Sequence, residues 1–362
     1  YVRRTAIEAL VSNFKDDPDT HSILKDRATA DNQGYVRRTA IEALVSNFKD
    51  DPDTHSILKD RATADKSEYE GRAVIEALAS NFPDDPDTRS FIKDCATADK
   101  SGSMRYAAIQ ALASNFKNDP HTRAFLKDCA TADKSGPMRD AAIKALASNF
   151  PDDPDTRSIL KDRATADDSD SVRRAAIQTL ASNFKDDPDT RSILKNRATA
   201  DKSGSMRYAA IQTLASNFKD DPDTRSILKN RATADNQDYV RGAAIEALAS
   251  NFKDDPDTHL FLKERATTDN QWDVRGAAIE ALAKHFRNQP ELFEIYYNCA
   301  VNDPFKRKQV YETNPRRIAL EIIIKQFPQH PQTLPLLHDK VENDADEEVR
   351  KFAQQKLAEL EK

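Results

Sequence analysis

The chain has 362 residues with only 7 Gly, 1 Trp and 38% hydrophobic residues, poor material for broad sheets or a large closed core. Fifty-five basic against 61 acidic residues leave a formal net charge of -6, which argues against a body built to wrap polyanions and against an acidic disordered tail. Cys95, Cys129 and Cys299 lack a CxxC or Cys/His partner at ligand spacing, and no apolar run approaches the roughly 18–20 residues of a membrane helix, so a reducing, cytoplasmic setting without a membrane is expected.

Internal repetition organises the chain. Residues 1–31 recur unchanged as 35–65, and the period of 34 continues with small changes from 69, 103, 137, 171, 205, 239 and 273. Residues 1–303 are read as nine repeats, 304–313 as an inserted basic loop, and 314–362 as a divergent repeat with a C-terminal cap. The break in period at 304–313 frees the last units from having to stack in the same geometry.

Within a unit the elements follow in order, and residues 171–204 serve as the specimen. Ile177, Leu180, Ala181 and Phe184 fall on one apolar helical face, which predicts a first helix, helix A. In Asp187-Pro188-Asp189-Thr190, Asp187 suits an N-cap, Pro188 the first helical position and Asp189 the positive end of the dipole, so helix B starts there. Thr190, Ile193, Leu194, Arg197 and Ala198 form its buried stripe, and Asp201-Lys202-Ser203-Gly204 ends the unit. One such hairpin cannot cover its own apolar stripe, so neighbours must; the expectation is an all-α chain, an elongated and curved α-solenoid of tandem antiparallel helix hairpins.

A period of 34 suits tetratricopeptide arrays, but their repeating Trp, Leu-Gly and Tyr positions are missing and the prolines stand between the helices. What recurs is Asp, four residues, then Val or Met, Arg, any residue, Ala-Ala-Ile, as in Asp167 followed by Val172-Arg173-Arg174-Ala175-Ala176-Ile177. This pattern resembles HEAT repeats, in the short form seen in bilin lyases. The near-identical tandem copies, such as residues 176–205, resemble the C-terminal arrays of bacterial NACHT-type ATPases. The resemblance implies a non-enzymatic scaffold or ligand-sensing module of a larger ATPase that binds a protein or other macromolecular partner. A bilin-lyase-like subunit and a nucleic-acid-binding HEAT-like protein are the alternatives. The third unit departs from the pattern: Glu70-Gly71 replaces Val-Arg, which disturbs the pairing of Asp65.

The repetition supplies ladders of like groups rather than the unlike groups that catalysis needs. No GxGxxG or GxxxxGK[ST] is present, no HExxH appears among the seven His, and no cofactor or metal site is expected. The Asp-rich turns are explained by capping. Asp31, Asp99, Asp133, Asp167, Asp201 and Asp235, each six residues before an Arg, predict a salt-bridge ladder joining adjacent units. Asn81, Asn115, Asn149, Asn183 and Asn217 are expected to satisfy loop backbone. The cysteines share a helix B position with Arg163 and Arg197 and are read as inert, buried thiols. Arg191, Lys195, Arg225 and Lys229 recur on helix B but are interleaved with Asp, so a protein is favoured over nucleic acid as partner.

Two features mark a surface for that partner. The exposed positions of helix A vary between units and carry Tyr35, Tyr106, Tyr208 and Tyr239. Around the break in period, Trp272, Phe293, Tyr296, Tyr297, Phe305 and Tyr311 gather beside Lys306, Arg307 and Lys308, the composition of an interaction hot spot or of a packed joint. The first unit has no polar capping helix before it, and an upstream part of the same polypeptide is therefore expected.

Overall fold

The computed structural model describes residues 1–64, 68–98, 101–287 and 289–360, which form 21 α-helices and no strand. Asp65 and Asp99 of the sequence pattern lie outside the described residues. The chain divides into two compact units, residues 1–184 and 185–362. The first holds α1 (Val2–Asn13), α2 (Pro18–Ala30), α3 (Gly34–Asn47), α4 (Pro52–Ala64), α5 (Glu68–Asn81), α6 (Pro86–Ala98), α7 (Gly102–Asn115), α8 (Pro120–Ala132), α9 (Gly136–Asn149), α10 (Pro154–Ala166) and α11 (Asp170–Asn183). The second holds α12 (Pro188–Ala200), α13 (Gly204–Asn217), α14 (Pro222–Ala234), α15 (Asp238–Asn251), α16 (Pro256–Thr268), α17 (Trp272–His285), α18 (Leu292–Asn302), α19 (Pro315–Gln326), α20 (Thr333–Asn343) and α21 (Glu347–Leu360). The fold is all-α, an α-solenoid of tandem antiparallel hairpins in which odd-numbered helices are A and even-numbered helices are B.

Local chemistry sets the helix ends. Asp17, Asp153, Asp187 and Asp221 each cap a helix B by accepting from the amide two residues on, at 2.9 Å, with Pro at the first helical position. Helix A ends at a Phe whose amide donates back to a Leu carbonyl, as Phe184 does to Leu180 at 2.8 Å. Phe184 therefore stands beyond helix A and is only half-buried, whereas Ile177, Leu180 and Ala181 of the expected stripe are buried. The Asn ladder serves helix rather than loop backbone: Asn81, Asn115, Asn149 and Asn217 donate to the carbonyl four residues back. Asn183 reaches instead to the carbonyl of Ala147 in the preceding helix A, at 3.0 Å.

Within each unit, consecutive A helices pack closely through alanines such as Ala108, Ala142, Ala210 and Ala244, all at 0% exposure. Each helix B meets the following helix A most intimately, because a short Asp-led turn joins them; α2 with α3 and α14 with α15 are examples. Leu58, Leu126, Leu194 and Leu228 fill the layer between, each adding roughly 1.5–3 kcal/mol of burial.

The Asp–Arg ladder is present with a different division of labour from the one the spacing suggests. Asp167, at the C-terminal cap of α10, turns its carboxylate back to Ser169 N at 2.9 Å and to Arg139 at 2.6 and 2.8 Å, 28 residues upstream. The Arg six residues downstream, Arg173, takes the Asp167 backbone carbonyl at 2.6 Å instead. In the second unit Arg207 bonds Asp235 at 2.6 Å and the Asp201 carbonyl at 2.8 Å, and Arg275 bonds Asp303 and the Asp269 carbonyl likewise. Arg139, Arg207 and Arg275 thus each tie the turn before their own helix to the turn after the next helix. These pairs are buried, with Arg139 at 6%, Arg207 at 6% and Arg275 at 3% exposure. A buried pair adds little net stability over an apolar one, but losing either partner is costly, so the ladder fixes the stacking geometry.

Residues 304–313 form an irregular excursion, and the ladder closes beneath it. Arg316 still donates to the Asp303 carbonyl at 2.7 Å and still pairs with Asp344, so α18 and α19 pack as the earlier B and A helices do.

Candidate recognition surface

The exposed positions of helix A differ between the two units. In the first, Arg4–Glu8, Arg38–Glu42 and Arg72–Glu76 form salt bridges one turn apart along successive A helices. Tyr35 stands half-exposed at 48% and lines a cleft of about 430 Å³ with Arg4, Arg38, Glu42 and Glu70. Tyr106 is exposed at 37%. In the second unit Gly242 and Gly276 stand where those arginines would be. Glu246 instead draws Lys284 at 2.6 Å and His285 at 2.9 Å from α17. Loss of surrounding water, then the charges of Glu321 and Glu246, hold the Glu280 carboxyl above its usual range. Tyr208 and Tyr239 pair with ring centroids 6.2 Å apart, and the Tyr239 hydroxyl lies over Gly204, in the space a Cβ would take. Within the second unit the structure thus brings Tyr208 and Tyr239 together.

The aromatic cluster at the break in period divides in two. Tyr296 and Phe305, at 0% and 6% exposure, are buried and correct the expectation that they face a partner; they pack the joint. Phe293 stacks on His330 and packs edge-on against Phe327 at 5.5 Å, while Tyr297, half-buried, lies 5.9 Å from Phe293. Trp272, also half-buried, meets Phe305 edge-on at 5.7 Å. Arg307 lies over the Phe305 ring, pairs with Asp346 at 3.1 Å and donates to the Glu312 carbonyl. Lys306 and Lys308 remain exposed, as do Val310 at 96% and Tyr311 at 81%.

The basic residues of helix B are spent on neighbours. Lys195 bridges Asp221 and Asp223 of the next helix B at 2.8 and 2.7 Å, Arg191 reaches Asp221 at 3.3 Å and lies over Phe218, and Arg225 pairs with Asp255. Where the following helix carries Phe91, Phe125 or Phe261 in place of Ile, the lysine lies over that ring instead, as Lys59, Lys93 and Lys229 do at 5.7–6.0 Å. Three histidines share the Arg191 position because they can do the same work: His21 stacks on Phe48 at 4.5 Å, His259 on Phe286 at 4.9 Å, and His55 contacts Asp85 at 2.8 Å. These side chains thus carry partners in neighbouring hairpins.

Cys95, Cys129 and Cys299 are buried and unbridged. Burial, then Asp133, pushes the Cys129 thiol up to about 12, and burial, then Asp303, does the same for Cys299, which donates to the Ala266 carbonyl at 3.4 Å. Among the described residues no cluster of three or more metal-ligating side chains occurs, and no helix is long and apolar enough to cross a membrane.

Sequence reasoning registered Glu70-Gly71 only as a departure. Glu70 is buried and accepts from Arg37 at 3.0 and 2.6 Å and from Arg61 at 3.1 Å, standing in for a ladder aspartate. Gly71 leaves the space that Met104 fills: a Cβ there would lie 2.5 Å from the Met104 sulfur. The signal was the coincidence of a new acid and a lost side chain at adjacent positions. The glycines at 242 and 276 carried a similar signal.

A family model described as HEAT repeats matches residues 1–79, 56–147, 89–181, 157–249 and 192–283. No curated protein matches the sequence. Among solved structures, Kap121p bound to Nup53p is similar at 16% identity with a TM-score of 0.55, over 96% of this chain and 42% of that one. Kap121p bound to Ste12p is similar at 15% identity and the same TM-score. Kap95p in its RanGDP complex is similar at 12% identity with a TM-score of 0.57, over 98% of this chain and 53% of that one. The chain spans about half or less of the length of these structures, and the likeness is one of fold.

Proposed function

This chain belongs to the HEAT repeat family, and we propose that it is a non-enzymatic scaffold that binds a protein partner along the exposed face of its A helices. The observation that carries this is the contrast between a framework committed to neighbouring hairpins and a face that keeps its aromatic rings exposed. Arg, Asp, Lys and His at the repeating framework positions are committed to neighbouring hairpins, whereas Tyr35, Tyr106, Tyr208 and Tyr239 stay 37–48% exposed at positions that change from unit to unit. Tyrosine offers large amphipathic contact area at low entropic cost, which suits selective recognition. The high-lying thiols and ladders of like groups support a role without catalysis. Kap121p bound to Nup53p gives a precedent for a similar fold holding a protein.

The near-identical tandem copies support a C-terminal sensing region of a larger bacterial, cytoplasmic NACHT-type ATPase, with nucleotide hydrolysis supplied elsewhere in that polypeptide and no cofactor bound here. The test compares the intact chain with the Tyr106→Ala/Tyr208→Ala/Tyr239→Ala variant in cross-linking capture from cells of the source organism. A protein cross-linked to the parent chain and lost from the variant, with an unchanged thermal midpoint, is the expected result. Nucleotide hydrolysis by the pure chain, or capture indifferent to all three tyrosines, overturns the reading.

A further inference from the structure

We propose that the cleft between the inserted loop and the start of α21 seats a peptide segment of a protein partner, in which an apolar residue stands between an acidic residue on one side and a basic residue on the other. This rests on the protein-binding reading above and adds to it a place and a ligand chemistry. The cleft measures about 530 Å³; Phe305, Lys306 and Val310 form the loop wall, and Ala345 and Glu348 stand on the wall made by the turn and first residues of α21. Val310 is 96% exposed, and Tyr311 beside it is 81% exposed.

An apolar loop tip in water is ordinarily free to move, yet this one is tied at several points. Arg307 holds Asp346 at 3.1 Å and takes the carbonyls of Val310 and Glu312. Glu312 accepts from the amides of Lys308 and Gln309 at 2.6 and 3.0 Å, and Asn314 reaches Asp346 at 2.8 Å. The wall is thus preorganised, which removes much of the ordering cost of binding. With Arg307 consumed in holding it, the charges left over are Lys306 and Lys308 on the loop and Glu348 opposite, none with an ion pair among the described residues. Opposite charges on facing walls fix the direction in which a peptide lies, so the acidic flank goes to Lys306 and the basic flank to Glu348. An anionic membrane is a poorer occupant: two lysines supply about 1 kcal/mol each near such a surface, against a chain of net charge -6.

The probe is a displayed library of random 12-residue peptides selected on the intact chain. Enriched peptides are expected to carry the ordered acidic, apolar, basic pattern and to lose about tenfold or more in affinity on Val310→Asp, a change at an exposed site that leaves the thermal midpoint in place. The double exchange Lys306→Glu/Glu348→Lys is expected to enrich the reverse order. Peptides that lack the order, or that bind Val310→Asp as well as the parent, overturn the cleft while leaving the scaffold reading intact. A selection that enriches nothing overturns both. Sedimentation of the parent, but not of Val310→Asp, with vesicles containing about 30% phosphatidylserine replaces the peptide with a membrane and also overturns the proposal.

Discussion

Arg316 donates to the backbone carbonyl of Asp303 at 2.7 Å across 13 residues, where the regular hairpins make the same bond across six. The excursion of 304–313 is therefore accommodated outside the stacking contact. Arg316 is 7% exposed and also holds Asp344 at 3.0 Å. Arg316→Met leaves a buried carboxylate and two carbonyls without this partner, at an expected cost of about 3–5 kcal/mol. Arg207→Met should cost a similar amount within the regular array. Amide exchange is expected to accelerate first in the hairpins beside each substitution. A loss below about 1 kcal/mol for Arg316→Met in denaturant titration would show that the ladder does not govern the C-terminal hairpins.

Two glycines separate tight packing from loose contact. Gly71→Ala places a Cβ 2.5 Å from the sulfur of Met104, which is 4% exposed and must change rotamer inside a closed layer. Overpacking of about 1–3 kcal/mol outweighs the gain of about 1 kcal/mol from replacing a mid-helix glycine. Gly204→Ala meets the hydroxyl end of Tyr239, 47% exposed, and the Cγ of Gln237 at 2.8 Å, also exposed, and both side chains can turn away, so its effect should stay within about 0.5 kcal/mol. Met104→Ala should relieve the penalty of Gly71→Ala in a double-mutant cycle; additive effects would refute the contact.

The ladder carboxylates make stability depend on acid. At Asp167, burial opposes ionisation, but bonds from Arg139 and the Ser169 amide outweigh it and hold the carboxyl below its ordinary 3.8. Asp235 is lowered in the same way by Arg207 and the Gln237 amide against its burial. A lowered native value means that this stabilisation is complete above the ordinary carboxylate value and disappears as pH falls through and below it. The urea midpoint is expected to be flat from about pH 5 to 7 and to fall steeply below about pH 4. Arg139→Met together with Arg207→Met should flatten that fall, and an unaltered acid limb in the double variant would remove the ladder as its source.

Cys129 and Cys299 should behave as protected thiols. Both are buried and pushed up to about 12 by that burial, so the thiolate that reacts is scarce and shielded at neutral pH. Maleimide labelling is expected to be slow in the native chain and rapid in urea. Stoichiometric labelling of either within minutes under native conditions would point to local opening of α8 or α18.

What the sequence determined by itself was everything governed by short separation. The period, the two helices per unit and the Asp-Pro starts rest on capping bonds and on contacts three to four residues apart, and these repeat wherever the residues repeat. The exposure of Tyr35, Tyr106, Tyr208 and Tyr239 was legible for the same reason. Only the tertiary structure decided partners separated by a whole repeat. Asp167 lies six residues from Arg173 but gives its carboxylate to Arg139, 28 residues away, because its side chain is turned back by the Ser169 amide while its carbonyl faces the next helix. Whether a helix B lysine rests on an aspartate or a phenylalanine ring depends likewise on the next layer. Tyr296 and Phe305 looked like surface aromatics, yet the joint buries them, since a break in period leaves space that only large side chains fill. Their burial depends on how layers stack, and stacking is a property of contacts between units that no single repeat contains.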